Sequence, residues 1–344
     1  MENTQLSVAV WRPAEQWQAE DKAVAQSLQL YALRGRNAIT GLVMSLVFAV
    51  LAVGFLPYMY TLGGLFALNA VRLVVSGIRY RIRLGRWLPA AKSLLNGAPG
   101  HRYAARIVAR GGDHAVLAVG PMYLRLLSVN WGLRQVVART GEVTVVGPDA
   151  EGYAVVFVDG MPLPLAAKVA EAPEPTETEP IARVSANGSE DEVPNWLAGR
   201  VARFHWTIVG GLVILLTGIA LEAQAYGGGL IIGITEMAML AVLAILYLIM
   251  PSDQSRLRSL LAAGQWQAHP VTVQASNSDA RRPITALTLV LGNGRRLSIK
   301  AAGPELVANI SATGTLWMVG VPGNRKGAAV GVPGYPILAA ARFA

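Results

Sequence analysis

The stretch Gly160-Met161-Pro162-Leu163-Pro164-Leu165-Ala166-Ala167-Lys168 aligns without a gap on Gly334-Tyr335-Pro336-Ile337-Leu338-Ala339-Ala340-Ala341-Arg342. Working outward, Thr140-Gly141 matches Thr313-Gly314 and Val146-Gly147 matches Val319-Gly320. Farther upstream, Ser93-Leu94-Leu95 matches Ser259-Leu260-Leu261. Order is kept throughout and the offset drifts only by loop-sized insertions, so the chain reads as two copies of one unit.

Each copy predicts five strands and one short helix. In the second copy the strands are 269–275, 284–291, 295–301, 315–320 and 328–332, with a helical turn at 305–311. Leu291-Gly292-Asn293-Gly294-Arg295 is a good hairpin turn, since Asn and Gly tolerate positive φ. In the first copy the counterparts are 103–109, 114–119, 122–129, 133–138 for the helix, 142–147 and 153–159. The order β-β-β-α-β-β is that of the OB fold, a small and partly open barrel. In that order the chain resembles the membrane-anchored OB-type barrels of the NfeD-like proteins, over about 75 residues per copy. That resemblance implies small barrels below transmembrane hairpins. A PH-like or SH3-like barrel fits the same strand count.

The 344 residues are 53% hydrophobic and 15% charged, with a mean hydropathy of +0.41. Ordinary globular domains carry about 25% charged residues, which excludes a disordered chain and argues against a fully solvated globule. With no cysteine, disulfides, a thiolate nucleophile and Cys-ligated metals are excluded. A membrane span needs roughly 20 mostly apolar residues, and residues 38–56, 58–78, 204–220 and 229–250 qualify. Pro57 breaks the first pair, and Glu222, Gln224 and Gly227-Gly228-Gly229 break the second. Arginines flank the outer ends (Arg34, Arg36, Arg79, Arg81, Arg83, Arg86, Arg200, Arg203, Arg256, Arg258) and are absent from the hairpin tips. The positive-inside rule then places both termini in the cytoplasm.

The sequence therefore predicts an α+β integral membrane protein of the bacterial inner membrane. Four transmembrane helices in two hairpins would carry two cytoplasmic OB-like barrels, internally duplicated. The expected segments are a cytoplasmic N-terminal 1–37 with an amphipathic helix, hairpin 38–78, barrel 79–170, acidic Pro-rich linker 171–196, hairpin 197–250 and barrel 251–344. The linker holds seven of the 21 acidic residues and no apolar periodicity, which reads as a disordered tether.

Chemistry-bearing patterns are sparse. His101, His114, His205 and His269 are scattered without metal-ligand spacing, and no nucleophile elbow or phosphate loop is present. No cofactor is expected. Glu236 sits roughly 10 Å inside the fourth span at 1.5 Å per residue, where a carboxylate marks a functional site by default. Asn69 lies at a similar depth, while Arg72 is placed to snorkel. Small residues at four-residue spacing, Gly41-Ser45-Ala49 and Gly229-Gly233, mark helix-contact faces.

The second barrel is basic through Arg281, Arg282, Arg295, Arg296 and Lys300. Its few aromatics argue against base stacking, so anionic lipid headgroups are expected before nucleic acid. These features predict a non-catalytic scaffold, assembly factor or accessory subunit of a larger membrane complex, partnered by other subunits or by itself. Two other readings compete: a transport component using Glu236 as a proton or ion site, and an enzyme with a site between the barrels.

Overall fold

The computed structural model describes residues 7–14, 21–54, 60–174, 176, 179–203, 217–218, 221, 256–277, 285–320 and 327–343. The chain divides into two units. The first holds Met1–Tyr31, Arg83–Gly199 and Arg256–Ala344, and the second Ala32–Ile82 with Arg200–Ser255.

Both copies of the repeat fold as closed six-stranded barrels within the first unit. In the first, β1 (Gly100–Arg110), β2 (Ala115–Val119) and β3 (Met122–Leu126) form one meander. A second meander consists of β4 (Glu142–Val146), β5 (Tyr153–Val158) and β6 (Met161–Ala170). The second barrel repeats this with β7 (Trp266–Asn277), β8 (Thr285–Leu291), β9 (Arg296–Ala302), β10 (Thr315–Val319), β11 (Ala328–Gly331) and β12 (Leu338–Phe343). The strand order is β1-β2-β3-β6-β5-β4 and, identically, β7-β8-β9-β12-β11-β10. The meanders join where β3 pairs with β6 and β1 with β4, all antiparallel. Closure leaves no sheet edge to template aggregation.

Each barrel closes with six strands, one more than the five expected per copy. The additional strand in each copy is the quoted repeat itself, β6 and β12. Pro162 and Pro164 lack the N–H a ladder needs, and they fall where the β5–β6 register slips between Val156 and Val158. The second half of β6, from Leu165, carries the ladder to β5 and β3.

One helix links the meanders of each barrel, α4 (Trp131–Thr140) in the first and α6 (Pro304–Thr313) in the second. Each ends on the matched Thr-Gly pair, because Gly141 (φ +65°) and Gly314 (φ +62°) take the left-handed C-cap conformation that is nearly strain-free only for glycine. The barrel interiors are filled by Leu117, Leu124, Leu126 and Val156 in one copy and Leu287, Leu289, Leu297 and Ile299 in the other, each at most 1% exposed. Burying such a side chain contributes about 1.5–3 kcal/mol.

β5 is buried on both faces because α3 (Trp87–Gly97) covers its outer side. Trp87 is fully buried there and donates its indole N–H to Ala154 O at 2.8 Å. Tyr31 packs edge-on against the same indole, 5.4 Å between centroids. In the second barrel α5 (Leu257–Leu261) sets Leu257, Leu260 and Leu261 against Ala329 of β11. The matched Ser-Leu-Leu triplets thus lie in helices covering equivalent barrel strands.

The acidic linker is not a free tether. Ala182 N–H donates to the Gln135 side chain, Trp266 N–H to Ala186 O and Gly188 N–H to Gly264 O. Residues 192–203 continue it as a helix.

Two helices reach into the second unit, α1 (Lys22–Gly54) and α2 (Tyr60–Leu84). Among the described residues no helix is long and apolar enough to cross a membrane. That finding overturns the reading of an integral inner-membrane protein with four spans in two hairpins, and with it the multi-pass topology and cytoplasmic termini. In α1 the uncharged stretch after Arg36 is residues 37–54, short of the roughly 20 residues a span requires. In α2 the apolar sequence is interrupted by Arg72, Arg79, Arg81 and Arg83. Of the third and fourth expected spans, residues 204–216, 219–220 and 229–250 lie outside the described residues.

Candidate functional site

The second unit carries an apolar face with no cover among the described residues. On α2, Leu68, Val71, Val75, Ile78 and Ile82 are all exposed, from 43% to 74%. Their spacing alternates three and four residues, so they form one seam along the helix. Arg72 and Arg79 are exposed beside it, each one position past a seam residue. On α1, Ile39, Val43, Leu46 and Val50 are likewise exposed, from 50% to 68%, at spacings of four, three and four.

Asn69 and Gly41 hold these helices together. Asn69 Nδ2 donates to Ser45 Oγ at 2.8 Å, and a Cβ on Gly41 would meet Leu73 Cδ1 at 3.3 Å. Three residues singled out from sequence (Gly41, Ser45, Asn69) therefore meet at the α1–α2 contact, while Arg72 points away to the exposed side. Ala49 lies in α1. Glu236, Gly229, Gly233, Arg281 and Arg282 lie outside the described residues. Arg295, Arg296 and Lys300 are exposed at and along β9.

The first unit has a polar junction where the barrels meet. Gly160, in the β5–β6 turn, donates its N–H to Trp11 O at 2.7 Å and accepts from Asn309 Nδ2 of α6 at 2.7 Å. Gly334, in the β11–β12 turn, donates its N–H to Asp191 Oδ2 at 2.8 Å and accepts from Arg139 Nη1 of α4 at 2.9 Å. Each barrel's turn glycine is thus clasped by the other barrel's helix and by a segment outside both barrels.

Asp191 is fully buried, and its Oδ1 has no hydrogen-bond partner. Burial raises its carboxyl to about 7, opposed by the Gly334 N–H and the Arg139 charge. Burial also raises the Tyr335 phenol, against the Arg139 guanidinium 4.8 Å from its ring.

Two clefts open on the first unit. One, about 230 Å³, is lined by Arg106, Arg110, Arg134 and Glu179. The other, about 570 Å³, lies among Trp11, Asp21, Lys22, Ser276, Thr285 and Ser311. Among the described residues no group of His, Asp and Glu has the arrangement to hold a metal ion.

Comparison with known proteins returns no match to a family model, a curated protein or a solved structure. The reading of function rests on the geometry alone.

Sequence reasoning missed the seam although its spacing is plain at 68, 71, 75, 78 and 82, because residues 58–78 were read whole as a membrane span. It missed Asp191 and Glu179 because both sit in a segment whose acidity reads as solvated.

Proposed function

We propose that the chain is a non-catalytic scaffold or accessory subunit whose second unit docks an amphipathic helix of a partner protein. The exposed 68-71-75-78-82 seam of α2 carries this reading. A 3-4-3-4 apolar row is the surface one helix offers another, and leaving it in water costs about 25 cal/mol per Å² of apolar area. Arg72 and Arg79 stand beside the seam, where charged residues select the partner, so the partner helix carries acidic residues at the facing positions. A second copy is disfavoured by the same argument, since its α2 would bring further arginines. The barrels, clasped through Gly160 and Gly334, supply a pre-organised body on which such an assembly is built.

A photo-cross-linking amino acid at Val71 or Val75, in cells producing the full chain, tests this. The expected result is one defined adduct at both positions, absent from the same probe at Lys300 on the second barrel. Uncross-linked protein at Val71 and Val75, purifying as a lone monomer under gentle conditions, would overturn it.

A further inference from the structure

The 230 Å³ cleft on the first barrel gathers three arginines from two elements. Arg106 and Arg110 both line it from β1, on either side of the register shift between Ile107 and Ala109, and Arg134 comes from the first turn of α4. Ala105, Ile107 and Ala138 supply an apolar floor. Arg134 is set before anything enters: its side chain is 11% exposed and its Nη1 donates to Gly111 O at 3.1 Å.

Glu179 of the linker occupies this cleft. Its Oε1 lies 3.5 Å from Arg110 Nη1 and its Oε2 3.4 Å from Arg134 Nε. Neither contact has hydrogen-bond geometry, and Arg134 Nε stays buried without a hydrogen-bond partner. The carboxylate neutralises charge without saturating the donors. A guanidinium presents five N–H groups and a carboxylate only two oxygens. A tetrahedral phosphate brings more acceptor oxygens and more charge to the same volume, and arginine suits its geometry.

The linker is pinned on both sides of Glu179. Thr176 N–H donates to Val108 O at 3.1 Å, where a register shift between Ile107 and Ala109 breaks the β1–β2 ladder. Ala182 N–H donates to Gln135 Oε1 at 2.7 Å. Glu179 is therefore held in the cleft at high effective concentration.

We propose that the Arg106–Arg110–Arg134 cleft is a phosphate-binding site, occupied in cis by the Glu179 carboxylate, which an incoming phosphate displaces. The linker then acts as an autoinhibitory strap, and phosphate binding frees it from the first barrel.

Isothermal titration of the full-length protein with inorganic phosphate and with glycerol phosphate tests the site, with acetate as a carboxylate control. Glu179→Gln should bind phosphate at least tenfold more tightly than the wild type, and adding Arg110→Ala should abolish the gain at unchanged thermal stability. Tighter glycerol phosphate identifies a phosphomonoester as the ligand, and equal or weaker binding identifies the free anion. In the wild type, saturating phosphate should speed hydrogen exchange over residues 174–183, a readout independent of any substitution. Glu179→Gln binding phosphate no better than the wild type, or acetate binding as well as phosphate, would overturn the proposal.

Discussion

Asn309 donates its side-chain amide to the carbonyl of Gly160, linking α6 of the second barrel to the β5–β6 turn of the first across 149 residues of sequence. The same side chain accepts from Trp11 N–H at 2.9 Å and also donates to Glu305 O. At 3% exposure it ties three segments. Asn309→Ala leaves the Gly160 carbonyl and the Trp11 amide buried without partners, at about 1–3 kcal/mol for each group. Urea denaturation should show a loss in that range or above it. Asn293→Ala, at the exposed β8–β9 turn, should show little change.

Gly160 tests the same junction sterically. Its φ is +78°, and a Cβ there would meet the Tyr335 ring at 2.7 Å. Gly160→Ala should destabilise through both backbone strain and this clash, by about 1–3 kcal/mol in total. Combining it with Tyr335→Leu should recover only the steric part. The double variant should therefore be more stable than additivity of the two single changes, as measured by thermal or urea melts.

How far these features were legible in sequence follows from what each depends on. Strands such as β8 and β9 announce themselves because alternation and the Gly292-Asn293-Gly294 turn are local. The Thr-Gly matches were visible because one residue's left-handed φ dictates glycine. β6 and β12 were seen as repeats and missed as strands, since Pro162, Pro164 and Pro336 suggest turns, and only the register slip beside β5 accommodates the first two. Hydropathy misled at α1 and α2 because apolar composition says nothing of where Arg72 or Asn69 sit relative to a face. The linker misled because its fastening depends on Gln135 and Gly334, 47 and 143 residues from their partners. No local pattern encodes that.

Asp191 predicts a pH dependence of stability. Its folded carboxyl titrates at about 7 against an ordinary 3.8, chiefly through burial. The native state therefore holds a proton that the unfolded chain has released, and stability falls as pH rises from about 4 through 7. Arg139 from α4, Glu192 beside it on the linker, and the Trp266 indole and Gly334 N–H of the second barrel face this carboxyl. Asp191→Asn removes the titration while keeping an oxygen for Gly334 N–H. Its stability relative to the wild type should therefore rise between pH 5 and pH 8 in parallel melts. A wild-type to variant difference independent of pH would count against a raised Asp191.

The α2 seam separates apolar docking from charge selection. Val75→Glu places a carboxylate in the middle of a buried helix contact and should abolish the partner adduct, because an unpaired charge there costs several kcal/mol. The barrels should melt as in the wild type, since Val75 lies in the second unit. Arg72→Glu with Arg79→Glu leaves the apolar row intact. It should weaken association with an acidic partner about tenfold, mainly through the association rate and with reduced salt sensitivity. The two effects are distinguishable by surface plasmon resonance at low and high ionic strength. Loss of binding in Val75→Glu with unchanged binding in the double charge reversal would keep the seam as the docking surface and remove the acidic character assigned to its partner.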